Sequence, residues 1–516
     1  MQLHWPGALT QRESRLERAA RSWLAASKGL RLIPAWVFQA MPYAMAVLLA
    51  VAIPLCGTLQ YRAARLVSPD MRLVVLLSVI AAGALLTVAL IPRTLNEGDT
   101  AATGQQLVSE YDKGFTASRY LSIFLVGAGF IEMVRGWIHS RASAAPDPAQ
   151  PILLALVAFY IGTIAIQALG SEHRDFSYKS FYVPVVLLAV YYQRLTNIRL
   201  VVEAAKLSIL ALMISSLAYM FIAPDFVLHR PDKGFIPGVD FRLFGLTPHA
   251  NALGPVALIG IMLELHTPSA FRTVRAVQLL LATAVFVLAQ SKTAWVAAAM
   301  VVIFVVIPLA MIPNSDPSRR QGQFRRSVYT LVVCIGMVIA VCAVFAAVDV
   351  IDYLERTASV DTLSGRTEIW NITLQAWYEN LLFGYGREIW GIERMTKFHM
   401  LHVGQAHNQF IQTLGEAGLA GLVLLLAYLL TLLRVSLRQF FASGGITLAL
   451  MVVVLSRCVT ESPLRLDGVL SWPTFTLVVL IMLACHFMRA EQPMYGRRRL
   501  LMNPAGRTLQ AARTAD

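Results

Sequence analysis

Residues 417–435 read AGLAGLVLLLAYLLTLLRV, an almost uninterrupted apolar run with a single charge, Arg434, beside its end. A helix needs about 20 apolar residues to cross the hydrocarbon core of a bilayer, and this run has that length. Because lipid offers no water to backbone N–H and C=O groups, a helix is the conformation that satisfies them within one segment. The run therefore predicts a transmembrane helix.

Similar apolar runs lie on both sides of this one. The 516 residues are 57% hydrophobic and only 14% charged, which is far from the composition of a soluble domain. We expect an all-α, polytopic membrane helix bundle with about twelve transmembrane helices, and 178–192 is the weakest candidate among thirteen. The candidates are 34–56, 72–92, 119–138, 151–170, 178–192, 198–223, 250–266, 276–290, 293–313, 328–349, 417–435, 444–458 and 469–488.

The net charge of +14 comes from short basic clusters between apolar runs. This pattern is typical of the positive-inside rule and argues against a nucleic-acid partner. The clusters at 314–327 and in the tail 489–516 are predicted to be cytoplasmic, together with an interfacial, Arg-rich segment at 1–33. The transmembrane bundle is predicted at 34–349, a periplasmic helical loop at 350–416 and the C-terminal transmembrane helices at 417–488.

The five cysteines lie in or beside apolar runs without CxxC spacing, which indicates buried hydrophobic positions and neither a disulfide framework nor a metal site. They are Cys56, Cys334, Cys342, Cys458 and Cys485. No motif of the HExxH, phosphate-loop or dinucleotide-binding type is present. We therefore expect no metal and no cofactor.

The 350–416 loop contains two predicted helices. One opens at Ser364-Gly365-Arg366 and is closed by Gly384 and Gly386. A second starts around Ala406-His407-Asn408 and stops at Gly418, and its expected buried residues are Phe410, Ile411 and Leu414. A purely structural lid would have the same pattern, since aromatic residues at helical spacing usually serve packing.

Arg366 is expected in the first turn of its helix, where the helix dipole disfavours a cation. An anion at this position would be held by free backbone N–H groups and by the guanidinium fork together. The position therefore suggests a phosphate or pyrophosphate ligand. Pairing with Glu368 or an interaction with lipid headgroups is the alternative.

Two further polar clusters are predicted at the same face of the membrane. Arg242 precedes His249 and Asn251 at the start of one span, and Ser291-Lys292 lies between two others. Arg242 would supply a second fork for a pyrophosphate, or anchor to headgroups. Lys292 adds a point charge without the geometry of a fork.

His407 is the strongest candidate for a general base, since an imidazole has a neutral fraction available near pH 7. A role as a helix cap is the alternative. His399 and His402 are rivals in the same loop, and Asn408 would cap the helix or bind a sugar hydroxyl.

The ordered set of motifs resembles the O-antigen ligase and polymerase superfamily over roughly residues 70–490. The residues that carry the resemblance are Arg242, Gly245, His249, Asn251, Gly254, Ser291, Lys292, Ser364, Gly365, Arg366, Trp370, Gly384, Gly386, His407, Asn408, Glu416 and Gly418. The resemblance implies a GT-C-like, metal-independent glycosyltransferase of the bacterial inner membrane with a periplasmic active site. Its donor would be an undecaprenyl-pyrophosphate-linked glycan and its acceptor a sugar hydroxyl of lipid A–core.

Carried over by resemblance, Arg242 and Arg366 would bind the donor pyrophosphate with Lys292, and His407 would be the essential loop histidine. His249, Asn251, Asn408 and Arg387 would support them. Ligases of this type commonly have Ser-Arg at the place of Ser291-Lys292, so the role of Lys292 is open.

One base without a nucleophilic carboxylate in the motif set favours an inverting single displacement, although Glu368, Glu388 and Glu393 lie nearby in sequence. The alternatives are an O-antigen polymerase, a protein-targeting oligosaccharyltransferase of the same superfamily, and a transporter or flippase. Transporters often contain internal repeats and charged groups at the membrane midplane, and neither is evident here.

Overall fold

The computed structural model describes residues 68–90, 95, 104–141, 146–230, 236, 239–311, 364–398, 404–466 and 468–490. The predicted N-terminal segment 1–33, the spans 34–56 and 328–349, the basic cluster 314–327, the tail beyond 490, His399, His402, Cys56, Cys334 and Cys342 lie outside these residues.

Helices account for nearly all regular structure in the described part of the chain, which confirms the all-α class. They are α1 (Pro69–Ala89), α2 (Gly104–Arg141), α3 (Gln150–Gly170, with two π turns), α4 (Tyr182–Tyr192), α5 (Ile198–Ile222), α6 (Pro224–Val227), α7 (Ala250–His266), α8 (Arg272–Leu288), α9 (Lys292–Leu309), α10 (Ser364–Glu379), α11 (Ile392–Lys397), α12 (Gln409–Arg438), α13 (Ile446–Thr460) and α14 (Trp472–Ala490). Two short antiparallel strands, β1 (Leu228–His229) and β2 (Arg242–Leu243), pair His229 with Arg242.

Seven of the described helices are long and apolar enough to cross a membrane: α1, residues 118–141 of α2, α3, α5, α9, α12 and α14. Two shorter apolar helices, α7 and α13, have 17 and 15 residues. The weak candidate at 178–192 forms α4, whose 11 residues extend only about 16 Å at 1.5 Å per residue. This length is insufficient for a crossing. The seven long apolar helices make the chain a multi-pass membrane protein.

The helices run alternately up and down, and their ends therefore gather at two opposite ends of the bundle. At one end, which we call the Asp147 end, Arg489 of α14 contacts Asp147 before α3 and the carbonyls of Tyr191 and Gln193. At the other, the Glu461 end, the residues that follow α13 meet the starts of α7 and α12. The most buried span is α14, with 72% of its apolar window covered by the other helices.

Two helices of the Glu461 end begin directly after a polar residue that caps them. The side chains of Ser291 and Asn408 accept hydrogen bonds from the backbone of the first turns of α9 and α12. Such caps satisfy N–H groups that have no partner inside the helix. The capping residues consequently fix where the loops of the Glu461 end enter the bundle.

The predicted short helix after residue 406 and the span 417–435 form one helix, α12, with a kink at Gly418. Gly418 has a φ of 62°, a conformation that favours glycine, and it lies against the carbonyl of Leu382. Phe410, Ile411 and Leu414 are only half-buried, contrary to expectation. The fully buried face instead consists of Gln409, Gln412 and Thr413. Gln409 and Gln412 accept hydrogen bonds from the backbone N–H groups of Leu464 and Ala406.

Candidate functional site

The carboxylate of Glu461 lies at the centre of the polar cluster at the Glu461 end. It accepts a hydrogen bond from Nδ1 of His407 at 2.9 Å and one from Nδ2 of Asn251 at 3.1 Å. A guanidinium nitrogen of Arg366 lies 3.8 Å from the same carboxylate. Glu461 thus joins residues from two predicted polar clusters, the Arg242–Asn251 cluster and the 350–416 loop, although sequence reasoning did not single it out.

Glu461 follows α13 directly, and its side chain is only 12% exposed. Burial opposes ionisation of the carboxyl group, but the hydrogen bond and charge of His407 and the amide of Asn251 outweigh it and lower the pKa of Glu461 to about 2. The group is therefore a carboxylate at any physiological pH. A fixed negative charge of this kind stabilises a protonated imidazole beside it.

Asn251, in the first turn of α7, connects Glu461 to Arg242 and Ser291 by hydrogen bonds. Its side-chain oxygen accepts hydrogen bonds from Arg242 at 3.3 Å and from Ser291 at 3.2 Å, while its amide nitrogen donates to Glu461. Arg242, Ser291 and Glu461 are thereby joined in one hydrogen-bonded network. Arg242 and His407, 165 positions apart in the sequence, belong to the same hydrogen-bonded chain.

Arg242 is positioned by the short strand β2 and by Gln290. The amide of Gln290 donates to the carbonyl of Phe241 at 2.6 Å and its oxygen accepts from the backbone of Ile236. Gln290 itself is fully buried and adopts a φ of 45°, uncommon for a residue with a side chain. Burial lowers the pKa of the Arg242 guanidinium, but an arginine stays charged at neutral pH.

His407 does not cap α12. The cap is Asn408, whose side-chain oxygen accepts from the backbone N–H groups of Phe410 and Ile411. His407 has a φ of 49° and directs its ring to Glu461 instead, so the alternative of a helix-capping histidine is wrong. A non-glycine residue in this conformation stores strain, which persists only where the surroundings impose it.

The loop before α12 is held on both sides of His407. The backbone N–H of Ala406 donates to Gln412 and its carbonyl accepts from the indole of Trp370 at 2.8 Å. Asn408 donates to the carbonyl of Val459 at 3.0 Å. These bonds explain the buried polar face of α12 and keep the imidazole in place, with about a third of its side chain exposed.

The tautomer of the neutral His407 ring follows from this geometry. Because Nδ1 donates to the Glu461 carboxylate, Nε2 is the ring nitrogen that can accept a proton. An imidazole held by a carboxylate through one nitrogen and open at the other is the arrangement by which many enzymes activate a hydroxyl group.

His249 caps α7 through Nδ1, which accepts from the backbone N–H of Asn251. Part of its ring reaches solvent, yet it lies in a crevice where poor hydration, and then the charges of Arg242, His407 and Arg366, lower the pKa of His249 to about 4 against the opposing effect of Glu461. It therefore stays neutral beside His407.

The remaining predicted residues occupy the periphery. Arg366 stands in the first turn of α10, as predicted, and is 41% exposed. Lys292 is the first residue of α9 and exposed. Arg387 donates to Ser180 at 2.9 Å and lines a separate small cavity with Glu416. Among the alternative carboxylates, Glu368 and Glu388 are exposed, while the side chain of Glu393 lies outside the described residues.

A cavity of about 520 Å³ opens beside the cluster, and His249 and Glu461 form part of its wall. Arg457, one helical turn before Glu461, also lines it. The sequence analysis missed both Arg457 and Glu461, although a signal existed. A charged residue inside the apolar run 444–458, with a carboxylate four positions later, is uncommon in a membrane helix without a functional or pairing reason. In the described part of the chain, no three His, Cys, Asp or Glu residues are grouped as a metal site would require.

The comparisons with known proteins agree with the motif pattern. Residues 277–426 match the family model Wzy_C, O-Antigen ligase. This region contains Lys292, Arg366 and His407, whereas Arg242 and Glu461 lie on either side of it. No curated protein matches the chain. The resemblance to the O-antigen ligases is confirmed over residues 277–426, where the chain is similar to this family model.

Proposed function

We propose that the protein is an O-antigen ligase, which transfers undecaprenyl-pyrophosphate-linked O-antigen polysaccharide to a sugar hydroxyl of lipid A–core. The observation that carries the proposal is the continuous network Arg242–Asn251–Glu461–His407. It holds a cation suited to phosphate and a base suited to a hydroxyl group at one end of the bundle.

In the proposed reaction, Nε2 of His407 removes the proton of the acceptor hydroxyl, and the oxygen attacks the anomeric carbon of the donor sugar. The new C–O bond forms while the bond from that carbon to the pyrophosphate oxygen breaks, and the lipid pyrophosphate leaves with its electron pair. Glu461 stabilises the imidazolium that results and holds the ring in the correct tautomer. A single displacement of this kind inverts the anomeric centre. Glu461 is already hydrogen-bonded to His407 and Asn251, so it positions the base and does not attack the sugar.

Arg242 and Arg366 are proposed to bind the two phosphoryl groups. Arg366 has only a 3.8 Å contact to Glu461 and is partly exposed, so it can turn towards a ligand at little cost. Arg242 is held more firmly and would supply fixed positive charge where the leaving group develops negative charge. Lys292 lies at the start of α9, next to Ser291 of the same network, and adds charge without a fork.

The proposed orientation in the inner membrane follows from charge. Arg489 lies at the Asp147 end and opens a strongly basic tail, which the positive-inside rule places in the cytoplasm. The Glu461 end then faces the periplasm. This orientation would give the site access to a carrier lipid and to nascent lipopolysaccharide in the outer leaflet.

The test is a lipopolysaccharide gel of a deletion strain complemented with the wild-type gene or with His407→Ala. A ligase predicts loss of the O-antigen ladder together with accumulation of polymerised, carrier-linked glycan. Core carrying a single repeat would instead identify a polymerase, and an unchanged ladder would contradict both. Carrier-linked glycan trapped on the cytoplasmic side would indicate a flippase.

A further inference from the structure

The cavity beside Glu461 has an unusual wall for a membrane protein. It lies between the last turns of α1, residues 118–122 of α2, and the described residues from Glu461 to Thr474 that lead into α14. Among the described residues, its lining contains four cationic side chains, Arg119, Lys179, Arg457 and Arg465, and one carboxylate, that of Glu461. Its volume of about 520 Å³ falls within the range of small-ligand sites, about 300–1,000 Å³.

Arg457 is the most informative residue of this wall. Its side chain is only 5% exposed, and within the part of the chain that the structure describes, its Nε has no hydrogen-bond partner. A buried guanidinium nitrogen without an acceptor is costly, because it has lost its hydrogen bond to water and has not regained one within the protein. Glu461, one turn further along, already accepts from His407 and Asn251.

A second buried donor lies on the same wall. The indole of Trp472 is 1% exposed, and its Nε1 likewise lacks a partner among the described residues. Buried tryptophan N–H groups normally find an acceptor. Two residues with a buried, unsatisfied donor line the same cavity. One of them is a cation, and such a wall fits a ligand with several oxygen atoms and a negative charge.

We infer that this cavity, the Arg457 cavity, binds a phosphate-bearing sugar of the acceptor, with Arg457 as its buried anion-binding residue. The inference rests on the proposed function and assigns the acceptor subsite within it. The residues proposed for the donor pyrophosphate, Arg242 and Arg366, do not line the cavity. Glu461 contacts Arg366 on one side and lines the cavity on the other, so the two substrates would meet beside His407.

The chemistry of the wall favours a phosphate over a neutral sugar. A guanidinium fork matches two phosphate oxygens, and in a site shielded from water such a contact is strong. A neutral hexose would leave the charge of Arg457 without a counter-charge. The sugar hydroxyls of a phosphorylated ligand would in turn offer oxygens to the indole of Trp472.

Binding is measured on the full chain in lipid nanodiscs by calorimetry, without turnover. The probes are glucose 6-phosphate, glucose as its neutral match, and farnesyl pyrophosphate as a short carrier-like lipid. We expect wild-type protein to bind glucose 6-phosphate and not glucose. Arg457→Gln should weaken glucose 6-phosphate binding at least 10-fold and leave farnesyl pyrophosphate binding within about 2-fold.

Two further variants keep the test decisive if Arg457→Gln folds poorly. Arg119→Gln changes an exposed cation at the cavity, and we expect a smaller loss, roughly 3-fold to 10-fold, of glucose 6-phosphate affinity. Arg457→Met retains the apolar stem, and it should raise the melting temperature of the ligand-free protein because the buried charge is gone. Arg272→Gln, an exposed change at the Asp147 end, is the matched control. It should alter neither the affinity for glucose 6-phosphate nor the melting temperature.

The outcomes separate this inference from the proposed function. Loss of farnesyl pyrophosphate binding alone in Arg457→Gln would overturn the acceptor assignment and give the cavity to the donor. The acceptor assignment would also be overturned if wild type and Arg457→Gln bound all probes equally. A lower melting temperature in Arg457→Met without a change in binding would likewise show that Arg457 has a structural role only. Failure of the transfer assay would leave these binding results intact, since no turnover is measured.

Discussion

The two ends of the bundle bury charge in different ways. At the Asp147 end, Arg489 donates to both oxygens of Asp147 and to two backbone carbonyls. Close by, Lys206 is 2.9 Å from Glu264 and also donates to the carbonyl of Thr267. Every one of these buried charges is neutralised by a partner within the fold.

At the Glu461 end the charges are incompletely satisfied or held under strain. Arg457 is buried with an unsatisfied donor among the described residues, Arg366 reaches Glu461 only at 3.8 Å, and His407 has a left-handed backbone. Buried charges that satisfy one another fix helices together. Charges left with capacity towards a cavity cost stability and are retained for a ligand. The comparison predicts that mutations at the Glu461 end reduce activity, whereas mutations at the Asp147 end reduce stability and leave activity nearly unchanged.

The largest effect is expected for His407→Ala, which should reduce transfer by about 10²–10⁴-fold because general-base assistance is lost. His407→Asn should reduce transfer as much while preserving the fold, since Asn tolerates the left-handed conformation. Transfer is measured with purified protein, lipid-linked donor and core acceptor. Asn408→Ala, at the next position, removes the true helix cap at about 1 kcal/mol and should reduce transfer far less than His407→Ala, because the base itself remains.

A His407→Asn enzyme with transfer near the wild-type rate would exclude His407 as the base. The rival histidines, His399 and His402, would then be tested in the same assay.

Arg242→Ala and Arg366→Ala should each reduce transfer at least 100-fold, since removing one preorganised donor to a developing anion typically costs about 10²–10³-fold. Lysine should rescue both positions poorly, because a point charge does not reproduce the fork. Activity is compared after normalising to folded protein in the membrane. Near-normal transfer by either lysine variant would mean that these positions need charge alone.

Glu461→Gln should reduce transfer by roughly 10-fold to 100-fold, the equivalent of a hydrogen bond to a charged group worth about 1.5–3 kcal/mol. The effect of Glu461→Gln on stability should also depend on pH. The pKa of Glu461 is lowered from 4.5 to about 2, so the carboxylate stabilises the fold above pH 4.5, and this contribution is lost as the pH falls towards 2.

The contribution is at most about 3 kcal/mol at neutral pH for this change in the pKa of Glu461. Chemical unfolding of wild type and Glu461→Gln at pH 7 and pH 3 measures it. The difference in unfolding free energy should be larger at pH 7. An equal difference at both values would show that the carboxylate charge does not contribute.

Much of the fold could be predicted from the sequence because apolar length is a local signal. Eleven of the thirteen predicted spans coincide with described helices, and the weakest of them is α4, which is too short to cross. The kink of α12 was interpreted as a helix end, since a glycine in sequence does not reveal whether the helix resumes after it. Tertiary contact between Gly418 and the chain at Leu382 decides this point.

The candidate site could be predicted only where a motif marked it. His407, Arg366 and Arg242 were found, and the cap at Asn408 was one of two interpretations. Glu461 was missed because its role arises from three contacts with residues distant in sequence. Arg457 was missed although its charge inside the apolar run 444–458 was a signal, because the cavity that it lines is formed by residues distant in sequence.

The smallest effect on activity is expected at the Asp147 end. Asp147→Asn should leave transfer by the folded protein within about 2-fold, since Asp147 belongs to the opposite end of the bundle from His407. It should lower the free energy of unfolding by about 1.5–3 kcal/mol, because Arg489 loses its charged partner and remains partly buried.

Burial opposes ionisation of Asp147, but the hydrogen bond and charge of Arg489 outweigh it and lower the pKa of the carboxyl group below its ordinary 3.8. The stabilisation is therefore present above pH 4 and is lost as the pH falls further, so the difference between wild type and Asp147→Asn should shrink below pH 4. Glu379→Gln is the matched control: Glu379 pairs with Arg394 at 3.1 Å but is 45% exposed, and such pairs contribute about 1 kcal/mol or less. If Asp147→Asn instead abolished transfer in fully folded protein, the division between a stabilising end and a reactive end would be wrong, and the two ends would have to be coupled through the helices between them.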